Sequence, residues 1–404
     1  MPLNILFITL LDFDSLADRN IYTDLMSEFV DHGHNISIIS PTERKKRKNT
    51  HLIKDNNKCE ILKLKIGNIQ KTNKIEKGIS TILIENQFIA GIKKYFSDKT
   101  FDLVIYSTPP VTFAKVIKYV KRRDNCKSYL LLKDIFPQNA VDLQHLSKKS
   151  IVYKYFRRKE IDLYKVSDFI GTMSYKNLEY IKTNNTFDAN KIIEINPNSI
   201  KVGPIDSSTI AIGNVKRKYN IPEEKIVLLY GGNLGKPQGI DFLIDIIKYL
   251  EDNQDYTLVI VGSGTEYSKI ENYLGNNKIK NTILINSLPK EEYKKIESIS
   301  DIGLVFLDKK FTIPNIPSRI LGYMQSQKPI VAAIDENTDL NEIIKKGKFG
   351  YSSLHGDLES FIKNILLLKD NSKRIELGKN AYNYLKDNYD VNNSYSIIMK
   401  HLKS

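Results

Sequence analysis

The chain has 404 residues, 41% hydrophobic and 27% charged, and a formal net charge of +14; that length is too great for one ordinary core and fits two domains of roughly 200 residues. Its two cysteines, Cys59 and Cys126, show no metal-ligand spacing, which argues against a disulfide framework or a zinc site and for a reducing compartment. No run approaches the roughly 18 apolar residues of a membrane span, and the opening "LNILFITLL" is of strand length and meets Asp12 and Asp14 at once, so no signal peptide is expected.

The charge is unevenly placed. Residues 1–200 hold 33 Lys/Arg against 22 Asp/Glu, an excess of +11, whereas the remainder carries +3. The basic clusters are "ERKKRK" at 43–48, Lys121-Arg122-Arg123, Lys148-Lys149 and "KYFRRKE" at 154–160. Such a surface suits an anionic membrane, an anionic substrate or nucleic acid. The plainer account is a Lys-rich composition that solvates ordinary helix faces.

Taken in order, "NILFIT", the helical "RNIYTDLMSEFVDHG" with Ile21, Leu25 and Phe29 at three- and four-residue spacing, and "HNISIIS" make a βαβ opening, with Gly33 as the helix stop. The pair Asp12 and Asp14 has the spacing of a metal-binding acidic pair, but it follows the first strand with no His or further acid near it, so the lip of a loop is expected and no metal. "GISTILIENQFIAGIKKYF", Gly78 to Phe96, reads first as a buried core helix; its Ile79, Ile82, Leu83, Ile89 and Ile92 also fit an apolar face for a membrane surface. Further strands are expected at "FDLVIYS", "SYLLLKD" and "FIGTMS", which gives the first half an open parallel sheet wrapped by helices.

"LLLKDIFPQNAVDL", Leu130 to Leu143, is the densest polar turn of this half. Asp134 falls near a strand end, where a carboxylate accepts a proton or orients a hydroxyl; a helix-capping acid is the structural alternative. Gln138, Asn139 and Asp142 crowd the next turn.

Pro, Asn, Gly and Ser accumulate over Asn196–Ser208 in the manner of a linker. A second alternation follows with "KIVLLYGG", "YTLVIVGSG", "NTILINS", "DIGLVFL" and "KPIVAAI". The expectation is an α/β protein of two tandem doubly wound Rossmann-like domains. Residues 1–197 form the first, 198–208 the linker, 209–385 the second, and 386–404 a C-terminal helix that returns to the first. Open parallel sheets bind ligands beyond the carboxyl ends of their strands, which places the expected site in a cleft between the domains.

"GGNLGKPQG" is not a P-loop, because Pro237 follows Lys236 where a Ser or Thr is needed. Gly231, Gly232, Asn233 and Lys236 nevertheless free backbone amides and add a cation before a helix, a grip for a diphosphate. Gly262 and Gly264 half resemble a dinucleotide fingerprint, yet Tyr267 replaces its third glycine, so a tight strand-to-helix turn is expected rather than NAD binding. In "TIPNIPSRILGYMQSQKPIV", Pro317 and Ser318 read as the first turn and cap of a helix that carries Arg319, a phosphate grip or a plain capped helix.

The series "IYTDLM", "GHNISIISP", "STPP", "DIFPQNAVDL", "YGGNLGKPQGIDFL", "VGSG" and "PSRILGYMQSQKPIVAA" resembles the retaining GT-B glycosyltransferases of family 4, and within them the bacterial capsule and O-antigen branch that includes L-fucosamine transferases. The resemblance spans nearly the whole chain. It implies a UDP-sugar held by Gly231, Gly232, Asn233, Lys236, Gly262, Gly264, Pro317, Ser318 and Arg319. It also implies a polyprenyl-pyrophosphate-linked saccharide acceptor, for which Arg19, Tyr22 and Gln138 are the candidate contacts, with Asp134 as the catalytic candidate. No cofactor and no metal are implied. An acidic ribose ligand of the family aligns with Gly322, so ribose binding has no assigned residue. The expected setting is the cytoplasmic face of the membrane, with an anionic lipid surface and no nucleic acid as partner. A UDP-sugar 2-epimerase of the same architecture is the alternative.

Overall fold

The computed structural model describes residues 1–70, 72–203 and 212–402, the side chains of residues 74, 75 and 212 excepted. The chain divides into two compact units, Met1–Lys201 with Asp390–Ser404, and Val202–Tyr389.

The first unit is built on β1 (Asn4–Ile8), β2 (Asn35–Glu43), β3 (His51–Asn56), β4 (Cys59–Ile66), β5 (Leu103–Ser107), β6 (Lys127–Leu132), β7 (Phe169–Thr172) and β8 (Ile192–Ile195). Their spatial order is β3-β4-β2-β1-β5-β6-β7-β8. All neighbours are parallel except β3 and β4, which form an antiparallel edge hairpin. The central strands are apolar on both faces, as a sheet covered by helices on both sides requires: Ile5, Leu6, Phe7, Leu103, Val104 and Ile105 are all fully buried. The β3–β4 hairpin and β8 were not among the expected strands. β3 alternates exposed and half-buried positions and its residues are largely polar, so it has no apolar run to announce it.

Helix Ile21–Asp31 starts where Asn20 accepts hydrogen bonds from the Tyr22 and Thr23 amides while Thr23 Oγ1 accepts one from the Asn20 amide, a reciprocal cap. It stops before Gly33, whose φ of +91° suits glycine. The chain's last helical stretch is not one element running to the end. Helix Asn371–Asn388 closes at Tyr389, and Asp390 caps a new helix, Val391–Met399. That helix packs on the first unit, with Tyr395 stacked on His32 at 4.0 Å and edge-on to Phe29 at 4.9 Å. Part of the expected linker is also docked there: the Val391 amide donates to Ile200 O at 3.0 Å and the Lys201 amide to Asp24 Oδ2 at 2.9 Å. Residues 204–208 of that segment lie outside the described residues.

The second unit holds β9 (Ile226–Gly231), β10 (Tyr256–Val261), β11 (Thr282–Ile285), β12 (Ile302–Phe306), β13 (Ile330–Ile334) and β14 (Gly350–Leu354), parallel throughout in the order β11-β10-β9-β12-β13-β14. Its core joins Leu228, Leu258, Leu304 and Val331 of the sheet to Leu243, Ile247 and Phe361 of the covering helices.

Helix Lys74–Tyr95 divides along its length. Ile84, Phe88 and Ile92 are buried, as a core helix requires, whereas Ile79, Ile82 and Leu83 stand 57%, 59% and 45% exposed. Among the described residues no helix is long and apolar enough to cross a membrane.

Candidate active site

In each sheet the chain winds outward from one central strand, then returns to that strand's other side. The second sheet's switch lies between β9 and β12, the first sheet's between β1 and β5. Loops leaving the carboxyl ends of the strands beside such a switch diverge and leave a crevice for a ligand. The glycine-rich turn after β9 is therefore placed by topology at the binding position of its sheet.

Two glycine turns interlock there. The Gly232 amide donates to Val261 O at 2.9 Å and the Leu234 amide to Ser263 O at 2.9 Å. A Cβ on Gly262 would stand 1.9 Å from Gly232 O, and one on Gly264 would stand 2.2 Å from Leu234 O. Both contacts are with backbone, so neither position accepts a side chain. Gly232 has φ +129°. Gln238 Oε1 accepts from the Gly235 amide at 3.2 Å and from Asn233 Nδ2 at 3.3 Å, holding the turn closed. Asn233 and Lys236 are exposed on it.

Arg319 lies directly beneath this turn. Its Nη2 is 3.2 Å from where a Cβ on Gly232 would be, its guanidinium covers the Tyr230 ring at 4.5 Å, and its Nη1 is buried without a hydrogen-bond partner. A buried cationic N–H left unsatisfied is costly, and an anion against the Gly231-Gly232 backbone is the group that would satisfy it. Pro317 and Ser318 precede Arg319 as expected, but Ser318 has helical φ and ψ and makes no side-chain cap bond; the helix is Arg319–Gln325.

Three residues under the turn were missed by sequence reasoning. Tyr323 Oη accepts from the Gly231 amide at 3.0 Å and donates to Leu229 O at 3.0 Å. Tyr293 Oη would be 1.9 Å from a Cβ on Gly231, so that glycine is needed for the phenol. Glu297 explains Gly322: its Oε1 is 2.5 Å from the position of a Cβ at 322, so the space an acid there would enter already holds a carboxyl, and burial pushes that carboxyl up to about 7. No local motif marks these residues, since Tyr293 and Glu297 come from helix Lys290–Ile299.

In the first unit, Thr108 follows β5, and its Oγ1 accepts from the amides of both Lys133 and Asp134, at 3.0 and 3.1 Å. Asp134 accepts from Asn139 Nδ2 at 2.8 and 2.7 Å. It caps no helix, because Pro137 is at the N-cap of Gln138–Asp142. Burial raises its carboxyl to about 6 against the lowering effect of Asn139. Tyr22 is drawn to the same place: burial raises its phenol, Ser107 opposes this by a hydrogen bond, and the Asp134 charge adds to it. Lys133, also missed, donates to Asn196 O at 2.9 Å and is lowered to about 7 by burial. Arg19 is turned to Asp24, at 2.8 and 3.0 Å, and to Lys201 O at 2.8 Å. Gln138 Nε2 donates to Asp142 Oδ1 at 2.7 Å. Asp134 and Tyr22 are thus brought together, while Arg19 and Gln138 are engaged in their own polar contacts.

The Asp12 and Asp14 pair is held by ammonium groups. Buried Lys63 reaches Asp12 at 2.5 Å, Asp14 at 3.0 Å and Phe13 O at 2.7 Å, and Lys46 reaches the other Asp12 oxygen at 2.6 Å. Both carboxyls sit below their ordinary value; hydrogen bonds from these lysines do this, against burial at Asp12. Among the described residues no three His, Cys, Asp or Glu side chains are grouped to hold a metal. Cys59 and Cys126 are buried free thiols, pushed up to about 12 by burial.

Two Rossmann-like parallel sheets, with a glycine turn at the switch of the second, define the GT-B fold. Solved structures of that fold superpose over nearly the whole chain. Sucrose-phosphate synthase from Thermosynechococcus elongatus gives a TM-score of 0.75 at 15% identity, over 99% of this chain and 98% of that one. Anabaena HepE in complex with UDP gives 0.69 at 13% identity, over 99% of each. Residues 212–384, which lie within the second unit, match the family Glycosyl transferases group 1. A probable glycosyltransferase of Pseudomonas aeruginosa, WbjE, is 22% identical over 70% of this chain and 69% of its own length.

Proposed function

We propose that the chain is a retaining glycosyltransferase that moves a sugar from a UDP donor to a polyprenyl-pyrophosphate-linked saccharide during assembly of a capsular or O-antigen polysaccharide. The donor sugar assigned by resemblance is an N-acetyl-6-deoxyhexosamine such as N-acetyl-L-fucosamine, and the place of work is the cytoplasmic face of the membrane, at an anionic lipid surface.

The observation that carries the reading is the buried, unpartnered Nη1 of Arg319 beneath the Gly231-Gly232 turn. Transfer leaves negative charge on the departing diphosphate, and a fixed guanidinium with oriented backbone amides stabilises that charge without reorganising when it forms. Lys236, exposed on the same turn, adds a second cation. A UDP-bound structural neighbour supports the choice of nucleotide. Asp134, with a carboxyl that ionises near pH 6, is assigned the role of accepting the proton of the acceptor hydroxyl or orienting it.

The test is a thermal-shift series with UDP-, GDP- and TDP-sugars, because a ligand bound only by the folded state raises its stability. A shift confined to UDP compounds is expected; no shift with any of them overturns the reading. Turnover of the donor with no acceptor present would instead select the 2-epimerase.

A further inference from the structure

We propose that the exposed ends of two helices of the first unit, Lys74–Tyr95 and Ile151–Val166, form a surface that docks on an anionic lipid bilayer. The proposal rests on the peripheral-membrane part of the reading above and adds the residues that do it.

Both helices are crossovers between parallel strands, β4 to β5 and β6 to β7. They therefore run in the same direction, and both begin at the carboxyl ends of the strands. The two are tied where Lys159 Nζ meets Glu85 Oε2 at 2.5 Å, a contact in which both side chains are largely buried. Helix Ala114–Asp124 packs against both, and its Lys115 amide donates to Glu85 Oε1 at 2.9 Å. The middle helix thus starts at the level of the Glu85–Lys159 pair. The turns of the outer helices that precede this pair overhang it by about 9 Å from Ile79 to Glu85 and about 12 Å from Ile151 to Lys159, at 1.5 Å per residue.

Those overhanging turns are apolar. Ile79, Ile82 and Leu83 occupy one face of the first helix at three- and four-residue spacing. Ile151 is 85% exposed, Val152 51% and Tyr155 38% on the second. A group of large aliphatic side chains on two adjoining helix ends is unlike the scattered exposed residues of ordinary surfaces. Its surround is basic: Lys77, Lys148, Lys149, Lys154 and Arg158 are exposed. Of the acids on the first helix, Glu76 is paired with Arg44 and Glu85 with Lys159. Aliphatic side chains that enter the acyl boundary, ringed by lysines at headgroup level, are the chemistry of a reversible contact with anionic lipid. The surface also lies at the end of the sheet from which Asp134 projects, since both helices and the Asp134 turn follow strand carboxyl ends.

The full chain is to be sedimented with vesicles of phosphatidylcholine, with and without phosphatidylglycerol, at low and high salt. Binding to the phosphatidylglycerol vesicles that weakens with salt is expected. Ile82→Asp with Ile151→Asp is expected to lower the partition at least about tenfold, since both side chains leave the acyl boundary. Lys148→Glu with Lys149→Glu is expected to lower binding to the anionic vesicles while leaving that to neutral ones unchanged. Wild-type partition in the double isoleucine variant overturns the proposal, as does equal binding to neutral and anionic vesicles. So does a dimer seen by light scattering that the isoleucine changes dissociate without any vesicle binding, which would assign the surface to a second copy. Thermal shift by UDP, measured on the same variants, is expected to match wild type. Loss of that shift in the wild type itself would remove the donor reading and leave the lipid surface standing.

Discussion

Replacing Arg319 by Met separates what this residue does for function from what it does for the fold. Met keeps the apolar stem of the side chain beside the Tyr230 ring but is shorter than Arg and carries no charge. The change removes a cation–π contact at 4.5 Å, worth about 1 kcal/mol when partly desolvated. It also removes a buried N–H without a partner, whose desolvation costs the fold about 1–3 kcal/mol. The two effects have opposite signs, so the ligand-free variant is expected to be as stable as the wild type within about 1 kcal/mol, or more stable by up to about 2. Turnover is expected to fall about 10²-fold, about 2.7 kcal/mol of transition-state stabilisation, and stabilisation by UDP to shrink. Urea unfolding with and without UDP, together with the rate of UDP release, measures all three quantities. A loss of about 3 kcal/mol or more in the ligand-free variant, with UDP stabilisation and turnover kept, would refute the reasoning and make Arg319 a pin of the fold.

Gly262→Ala is expected to destabilise by about 3 kcal/mol, because its Cβ would lie 1.9 Å from the Gly232 carbonyl; Gly275→Ala, in open space within helix Tyr267–Asn277, is expected to stabilise by about 0.5–1 kcal/mol, and urea midpoints compare the two. Turnover is expected to fall as pH drops through about 6, where Asp134 takes up a proton, and Asp134→Asn is expected to lose turnover while keeping UDP binding; if both fall together, Asp134 is structural. The same carboxyl lies above its ordinary 3.8 in the folded state, so its contribution to stability is fully present below that value and is lost as pH rises through about 6, a slope that Asp134→Asn removes. Activity in excess EDTA is expected to persist, since Arg319 and Lys236 are assigned to the leaving group and Asp12 and Asp14 are bound by lysines; loss of turnover restored by Mg²⁺ would reject that assignment.

The sequence by itself determined the alternation of strands and helices, because strands buried on both faces must be continuous apolar runs, and "LVIYS", "YTLVIV" and "IGLVF" are such runs. It also marked the glycine turn, since Gly231, Gly232, Gly262 and Gly264 each sit within a few residues of a strand end, although the groups that exclude a side chain there, such as the Tyr293 phenol and the Gly232 and Leu234 carbonyls, are distant in sequence. The edge strand β3 escaped because edge positions tolerate Lys, Asp and Asn, which blur the period. What lies beneath the turn was decided only by tertiary structure. Tyr323 meets the Gly231 amide across 92 residues of chain, Lys63 reaches Asp12 across 51, and Lys159 reaches Glu85 across 74. Such partners are chosen by which strand lies beside which and by where neighbouring helices begin. Spacing along the chain carries no trace of that, so a Gly at 322 read as a missing ligand until Glu297 was seen to fill its space, and the stretch from Gly78 to Phe96, which fitted both a core helix and an apolar surface face, was divided by the structure into buried Ile84, Phe88 and Ile92 and exposed Ile79, Ile82 and Leu83.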